Sequence, residues 1–136
     1  MAQSIVETRF HVRYAETDAM GIVHHASYIV YFEEGRSAFI RAQGSSYAKF
    51  EESGYFLAVT ALDVKYLRSA KYDQELIVRC WVVKARSRTL TFAYEILNAI
   101  SHEILVTGTS EHICITREGI IATIPAQWRE WVSPNP

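Results

Sequence analysis

The sequence lacks most features that would divide the chain or mark an unusual protein class. Its 136 residues contain only two cysteines, three prolines and six glycines, with no internal repeat, low-complexity stretch or flexible linker. We therefore predict a single domain over residues 1–136, long enough to bury one core. The formal net charge of -1 gives the chain no general attraction to nucleic acid or to an anionic membrane.

Signals for export and membrane insertion are also missing. The N-terminal segment lacks the basic and then apolar layout of a signal peptide, and no apolar run approaches the roughly 18 residues that a spanning helix requires. Cys80 and Cys114 lie in alternating apolar segments, without the spacing of a disulfide or a metal pair. We expect two reduced core cysteines in a cytoplasmic protein with no membrane span.

The common catalytic motifs are absent as well. The chain has no glycine-rich phosphate loop, no serine nucleophile elbow and no zinc-ligand spacing. Neither cysteine has an activating neighbour in the sequence, which argues against thiol catalysis. These absences leave carboxylates, histidines and one basic turn as the candidate functional groups.

Alternating apolar and polar residues form five runs, and this pattern predicts β-strands. The runs cover residues 4–14, 55–67, 74–85, 88–97 and 103–116. Short polar turns between the last four runs indicate antiparallel neighbours. Residues 76–83 are apolar on both faces, so we expect a central strand with one face on a buried helix and the other open to a partner subunit.

That helix is expected between the first two strands. Residues 26–42 contain no proline, and apolar side chains cover most of the circumference of the first half, so protein must enclose it. Gly44 suits the left-handed position after its end, and Ser45 suits the cap of a short second helix at about 46–52. The predicted fold is α+β, with a five-stranded antiparallel sheet wrapped around one long central helix.

The loop before the long helix holds the strongest candidate for chemistry, Asp18. A helix N-terminus offers unsatisfied backbone N–H groups and partial positive charge, which can hold an oxyanion. A carboxylate beside it can attack a carbonyl carbon or activate water. Asp18 also suits a plain cap of the turn or the helix, because aspartate is preferred there, and its position alone leaves both roles open.

Two histidines follow in the same loop and are candidates for a base or a metal ligand. We expect the rings of His24 and His25 to point in different directions, because they are adjacent, and no further ligands stand at suitable spacing for a metal site. The backbone amide of His25 is therefore of more interest than its ring. In mid-helix, Glu33, Glu34 and Arg36 are expected to form a solvated strip or local ion pairs.

A basic turn joins the third and fourth predicted strands. Its phosphate-compatible side chains, in an otherwise neutral chain, are Lys84, Arg86, Ser87 and Arg88. Such a turn can bind phosphate or simply keep a strand connection soluble, and the residues alone do not decide between the two roles.

The segment from Tyr14 to Tyr28 follows the pattern Y-x-x-T-D-x-x-G-x-V-x-H-A-x-Y. It closely resembles the 4-hydroxybenzoyl-CoA thioesterase family and, within it, the acyl-CoA thioesterases associated with the Tol–Pal system. The likeness extends over nearly the whole chain, because the order of helix and strands and the basic turn also match. It implies the hotdog fold, hydrolysis of an acyl-CoA or aryl-CoA thioester, and no metal or bound cofactor.

The resemblance also implies a role for individual residues. Asp18 would be the nucleophile or general base, and the amide of His25, at the helix N-terminus, would bind the thioester oxygen. The basic turn would lie near the CoA nucleotide phosphates. The implied substrate-binding residues are Tyr14, Gly21, Tyr28, Arg86, Ser87 and Arg88. Active sites in this family form between the subunits of a dimer, often in tetramers, so we expect a homodimer or homotetramer.

Two departures from the family pattern leave the acyl group undecided: Ser27 stands where asparagine is usual, and Met20 where a small residue is common. Two other functions stay open. Asp18 and His24 resemble the Asp–His pair of hotdog enoyl-CoA hydratases, although the spacing is longer and the Asn-Pro element is absent. A non-catalytic acyl-CoA-binding protein is the second alternative, although such a protein would be expected to lose the carboxylate that this chain keeps.

Overall fold

A five-stranded antiparallel sheet and a 16-residue helix dominate the computed structural model, which describes residues 4–133. The two ends of the predicted 1–136 domain lie outside the described residues. In chain order the elements are β1 (Ile5–His11), a 3-10 turn (Tyr14–Glu16), α1 (Ser27–Ala42), α2 (Tyr47–Glu52), β2 (Tyr55–Tyr66), β3 (Glu75–Ala85), β4 (Thr89–Asn98), β5 (Ile104–Thr116) and a second 3-10 helix (Ala126–Trp131).

The sheet confirms the predicted α+β class and the interior place of β3. The spatial order is β1-β3-β4-β5-β2, so β4 takes the middle position and β3 lies beside it. β3 is an interior strand because β1 pairs along its outer side, from Ile5 opposite Trp81 to His11 opposite Glu75. Alternate residues of β3 line the core, since Val78 and Cys80 are fully buried.

Strands β2 and β3 follow each other in sequence but are not neighbours. β2 pairs with β5, and the connection 67–74 crosses the end of the sheet to reach β3. The expectation of adjacent strands was therefore wrong here, although it holds for β3, β4 and β5. Backbone hydrogen bonds attach this crossing segment to the loop before α1, including Val23 N–H to the Ala70 carbonyl at 2.9 Å.

Helix α1 lies against one face of the sheet at close range. A side chain on Gly35 would bring its first carbon within 2.9 Å of Val78, so glycine permits this approach. The Phe32 and Tyr94 rings stack with centroids 4.3 Å apart. Val30, however, is 56% exposed, so the chain by itself leaves one flank of α1 uncovered and does not enclose the helix as predicted.

Element boundaries differ from the predictions by one to three residues. β1 ends at His11 and not at residue 14, because the Arg13 N–H turns to the Glu16 carboxylate at 2.8 Å and opens a 3-10 turn. Ser46, not Ser45, caps α2 by accepting the Lys49 N–H at 3.1 Å. No helix among residues 4–133 is long and apolar enough to cross a bilayer.

A buried polar cluster lies between α1 and the sheet. Arg36 donates to the hydroxyls of Tyr47 at 3.1 Å and Tyr94 at 3.5 Å, and its side chain is only 12% exposed. Tyr94 contacts Ser110, whose hydroxyl lies 2.7 Å from Nε2 of buried His112. The solvated strip, one of the two predicted alternatives, thus fails for Arg36, because the middle of the helix turns this residue toward the sheet. The predicted local ion pair is present, since Arg36 Nη2 lies 3.8 Å from Glu33 Oε2.

The two cysteines fulfil the prediction of reduced core residues. Cys80 and Cys114 are both free and fully buried, on β3 and β5 respectively. Burial raises the pKa of both thiols, so neither carries the thiolate that thiol chemistry requires.

Candidate active site

The Asp18 loop is a tight turn closed by its own backbone. The Asp18 N–H donates to the Ile22 carbonyl at 2.8 Å, and the Gly21 N–H donates to the Asp18 carbonyl at 3.0 Å. Gly21 has φ +80, in the left-handed region where a residue without a Cβ atom is favoured. The motif glycine therefore shapes the turn that presents Asp18.

The Asp18 carboxylate is held on one side and open on the other. Its Oδ1 accepts the Met20 N–H at 2.8 Å and the Ile22 N–H at 3.4 Å. Among residues 4–133, no protein group donates to Oδ2. A carboxylate oriented through one oxygen and free through the other can serve as a nucleophile or as a general base.

The backbone around His25 leaves one amide unpaired at the start of α1. The His24 N–H donates to the Glu16 carbonyl at 2.8 Å, the Ser27 N–H to the His24 carbonyl at 2.9 Å, and the Ala26 N–H to Nδ1 of His24 at 3.1 Å. The His25 N–H has no acceptor within the described part of the chain. It therefore stands free at the electropositive end of the helix, where an oxyanion would be stabilised.

Asp18, His25 and Tyr28 line one pocket of about 250 Å³. Its wall is completed by Tyr66 at the end of β2 and by residues 67–69 of the crossing segment. The Tyr28 hydroxyl accepts the Ala70 N–H at 3.1 Å, and burial raises the pKa of Tyr28, so this phenol stays protonated. The crossing segment thus closes the pocket over the Asp18 turn and the first turn of α1. Its course across the end of the sheet was not predicted.

The two histidine rings stack instead of pointing apart. Their centroids lie 4.3 Å from each other with an interplanar angle of 27°. The expectation of divergent rings failed because the residues occupy a turn, not a strand, and His24 folds its ring back to accept the Ala26 N–H. The Tyr66 hydroxyl also donates to the His25 carbonyl at 3.0 Å, which fixes this turn from the β2 side.

The remaining predicted residues do not join this pocket. Tyr14 is 77% exposed and meets Tyr72 edge to face with ring centroids 5.7 Å apart, away from the pocket lining. The basic turn lines a different hollow of about 400 Å³, shared with Glu111 and Ile121. Within the described residues, Lys84, Arg86 and Arg88 form no ion pair.

The basic turn and the Asp18 pocket lie at opposite ends of the sheet. Thr89, just after the turn, pairs with Ile113 of β5, and Ile113 pairs with Ala58 near the start of β2. The pocket is beside Tyr66, at the other end of the same strand. Eight residues of β2 separate the two levels, which is roughly 25 Å at about 3.3 Å per residue. One chain therefore does not bring these predicted residues together.

Glu16 is a residue that the sequence reasoning missed. Its carboxylate accepts from the backbone and guanidinium of Arg13 and from the Tyr31 hydroxyl. Burial acts to raise the pKa of Glu16, but these hydrogen bonds and the Arg13 charge prevail and lower it. A glutamate three residues after the start of a turn is a capping-box signal, and that spacing was available in the sequence.

The described residues group no three or more His, Cys, Asp or Glu side chains in a way that could hold a metal ion. What the site offers is a carboxylate with one open oxygen and a free amide, both at one pocket. This combination suits attack on a polarised carbonyl group.

Several known proteins are similar to this chain along most of its length. YneP of Bacillus subtilis, to which acyl-CoA thioesterase activity is ascribed, is 35% identical over 119 residues, covering 88% of this chain and 83% of the relative. The acyl-CoA thioester hydrolase YbgC of Escherichia coli O157:H7 is 31% identical over 65% of this chain and 66% of its own length.

Solved structures share the same architecture. A DHNA-CoA thioesterase of Staphylococcus aureus is 36% identical, with a TM-score of 0.83 over 92% of this chain and 83% of that protein. A 1,4-dihydroxy-2-naphthoyl-CoA thioesterase of Synechocystis has a TM-score of 0.87 at 20% identity, covering 98% of this chain and 100% of its own, and supports the fold alone. The family model described as the thioesterase-like superfamily matches residues 12–132. The chain therefore belongs to the thioesterase-like superfamily and is an enzyme with the hotdog fold that its motif predicted.

Proposed function

We propose that this protein is an acyl-CoA thioesterase that hydrolyses its substrate to a free carboxylic acid and CoA. One observation carries the proposal: the Asp18 carboxylate, with one oxygen free, lines the same pocket as His25, whose backbone N–H has no acceptor within the described residues. Asp18 acts as nucleophile or general base, and the His25 amide donates to the thioester oxygen. The relatives named for acyl-CoA thioester hydrolysis support this assignment.

The reaction uses the two groups in one of two ways. With the carbonyl oxygen bonded to the His25 N–H, Asp18 Oδ2 attacks the carbonyl carbon, the C–S bond breaks, CoA thiolate leaves, and water then hydrolyses the mixed anhydride. Alternatively, Oδ2 takes a proton from water while the resulting hydroxide attacks the same carbon, and CoA thiolate leaves as before. In both cases negative charge builds on an oxygen at the helix N-terminus, where it is stabilised.

The walls of the pocket favour an aromatic acyl group. The part of the site that one chain supplies has a volume of about 250 Å³. Tyr28 and Tyr66 are aromatic walls with ring centroids 5.7 Å apart, and the Tyr28 phenol proton has no acceptor within the described residues, so it can meet a substrate oxygen. The Staphylococcus aureus relative, named for DHNA-CoA, supports an aryl-CoA substrate.

The CoA nucleotide would bind at the basic turn of a second copy of the chain. β2 is a twelve-residue edge strand without proline, on which Val59 is 53% and Leu62 is 43% exposed, and such an edge readily pairs with another strand. Antiparallel pairing of β2 with its copy brings the partner's basic turn to the Asp18 end. Only β2 and β5 of that copy then separate its turn from the seam, roughly 12 Å at about 4.8 Å per strand. We therefore propose a homodimer or homotetramer with shared sites.

No observation favours the alternative functions over hydrolysis. Nδ1 of His24 accepts the Ala26 N–H, so this ring nitrogen is not available as a base. A non-catalytic binding protein would have no use for an oriented Asp18 with an open oxygen. The two free, buried cysteines support our proposal that the enzyme works in the reducing cytoplasm.

The decisive experiment compares Asp18→Asn with the parent on benzoyl-CoA, hydroxybenzoyl-CoA, short-chain and long-chain acyl-CoA. We expect kcat to fall by about 10²–10⁴-fold with little change in KM, because the lost group acts in the chemical step. Asp73→Asn is the matched control, because Asp73 is an exposed aspartate outside β2 and outside the pocket lining, and this variant is expected to match the parent. Equal rates for Asp18→Asn and parent would refute the role of Asp18, and hydration of crotonyl-CoA without any hydrolysis would favour the hydratase.

A further inference from the structure

Glu16 lies two residues before Asp18 and outside the pocket lining, yet it bonds to the segments that form the site. Its Oε1 accepts the Arg13 N–H at 2.8 Å and the Tyr31 hydroxyl at 2.8 Å. Its Oε2 accepts Arg13 Nε at 2.9 Å and Nη2 at 2.6 Å. This carboxylate therefore joins the end of β1 to helix α1, since Tyr31 is a buried residue of that helix.

The backbone of the same residue holds the turn that carries the free amide. The Glu16 carbonyl accepts the His24 N–H at 2.8 Å and the Ser27 hydroxyl at 3.4 Å. The free His25 N–H belongs to the peptide bond between His24 and His25, and Ser27 is the first residue of α1. Glu16 thus fixes the His25 amide through its main chain and the axis of α1 through its side chain.

We propose that Glu16 is a positioning residue that sets the distance between the Asp18 carboxylate and the His25 amide. This inference rests on the proposed thioesterase function and names no second catalytic group. Asp18 follows Glu16 by two residues, so movement of Glu16 displaces the carboxylate and the amide relative to each other. A displacement of about 1 Å in an active site can cost about 100-fold in rate.

The negative charge of Glu16 matters as well as its shape. Hydrogen bonds between ionised groups are about twice as strong as neutral ones, and both Arg13 side-chain nitrogens donate to Glu16 Oε2. Glutamine at this position would still accept from the Tyr31 hydroxyl, but it would bring an amide NH₂ toward the Arg13 guanidinium. A glutamine variant should therefore keep the contact with Tyr31 and lose the ion pair with Arg13. An alanine variant should lose both side-chain contacts.

The test measures kcat and KM separately for Glu16→Gln and Glu16→Ala on the best aryl-CoA substrate. We expect Glu16→Ala to lower kcat by about 30- to 100-fold, Glu16→Gln by about 3- to 10-fold, and KM to change less than about twofold in both. The matched control is Glu95→Ala, which removes another half-buried carboxylate bonded to an arginine, Arg79 at 2.6 Å, but one on β4 and outside the pocket lining. We expect its kcat to stay within about twofold of the parent.

Assaying Asp18→Asn in the same series separates failure of the Glu16 role from failure of the thioesterase proposal. If Asp18→Asn loses activity while folded Glu16→Ala keeps the parent kcat, the positioning role is wrong and the thioesterase proposal stands. If Asp18→Asn also keeps its rate, the thioesterase mechanism itself fails. A rise in KM at constant kcat for Glu16→Ala would overturn the inference too, because a positioning residue acts on the chemical step.

Thermal unfolding of every variant separates positioning from collapse of the fold. Should Glu16→Ala fail to fold, Glu16→Gln and Tyr31→Phe decide the question, since Tyr31→Phe removes only one hydroxyl bonded to Glu16. We expect Tyr31→Phe to lower kcat by about 2- to 5-fold, within the effect of one hydrogen bond. Unchanged kcat in both of these variants would overturn the inference.

Discussion

The two ends of the sheet are built in opposite ways. At the Asp18 end, backbone and side-chain hydrogen bonds fix the loop, the crossing segment and the start of α1, while Asp18 Oδ2 and the His25 N–H have no partner among residues 4–133. At the other end, Lys84, Arg86 and Arg88 form no ion pair within the described residues. The first end surrounds a small pocket with hydrogen-bonded groups, and the second presents unpaired positive charge over a wider hollow.

This difference matches two tasks that one ligand can impose. Bond breaking requires groups held within a fraction of an ångström, whereas binding of a phosphate tail needs charge more than exact geometry. Roughly 25 Å along β2 separates the ends within one chain. On our proposal, one chain holds two half-sites, and a second copy joins them through the exposed edge of β2.

Among the changes that test this comparison, breaking that edge has the largest expected effect. Leu62→Lys puts a charge on β2 at the proposed seam, where pairing would bury it without a partner. We expect a monomer by analytical ultracentrifugation and a loss of about 100-fold in kcat/KM, because the half-sites separate. Light scattering at several protein concentrations checks the same shift.

Ile100→Lys is the matched control for this substitution. Ile100, like Leu62, is an exposed branched aliphatic residue, but it lies in the turn between β4 and β5 and not on β2. We expect it to keep the parent's assembly and activity. If Leu62→Lys is monomeric and fully active, the half-site comparison is wrong and each chain works alone.

A smaller effect is expected at the basic end. The double variant Arg86→Ala with Arg88→Ala should raise KM for an aryl-CoA about tenfold and leave kcat nearly unchanged, because the phosphates lie far from the reacting carbonyl. The salt dependence of KM should weaken with it. Arg41→Ala, on the exposed end of α1, is the control and should leave KM as it is.

Mixing variants tests whether the two ends act across subunits. Asp18→Asn copies are unfolded and refolded with copies of the double arginine variant, so that mixed dimers form. If each site combines Asp18 of one copy with the basic turn of the other, about one quarter of all sites become intact in an equal mixture. Activity at low substrate should then exceed the average of the two separate proteins, and activity equal to that average would place both ends of a site in one chain.

The elements were predictable from local patterns, and their arrangement was not. Alternation located all five strands, and the apolar pattern located α1 to within one residue. The pairing of β2 with β5 depends on how a connection crosses the sheet, which no local pattern encodes. The burial of Arg36 was missed for a similar reason: a charged residue in mid-helix is usually solvated, but here tyrosines from α2 and β4 supply its partners.

The same limit applies to the candidate site. Asp18, His25 and Tyr28 were predicted as a group and do line one pocket, because they are close in sequence around one helix start. Tyr14 was expected with them, but the 3-10 turn directs it toward Tyr72. The contribution of Glu16 depends on Tyr31 and on a main-chain carbonyl, so its importance emerges only from the three-dimensional contacts.

The smallest effect on activity is expected from the polar cluster between the two ends. Buried His112 bonds to Ser110, lies edge to face with Phe92 and has no partner for Nδ1 within the described residues. It touches neither the pocket nor the basic turn. His112→Gln can still bond to Ser110, so kcat/KM should stay within about twofold of the parent. A large loss of activity would mean that chemistry also depends on the middle of the molecule.

His112 should instead shape how stability depends on pH. Burial, with a smaller contribution from the Arg36 charge, lowers the pKa of His112 from 6.5 to about 4. The unfolded chain therefore takes up the proton first as pH falls, and stability that is complete above pH 6.5 is lost between 6.5 and about 4. The loss reaches roughly 3 kcal/mol, since one pKa unit corresponds to about 1.4 kcal/mol. Urea unfolding at pH 7.5, 6 and 5 should show a steeper decline for the parent than for His112→Gln, and parallel declines would show that His112 does not titrate on unfolding.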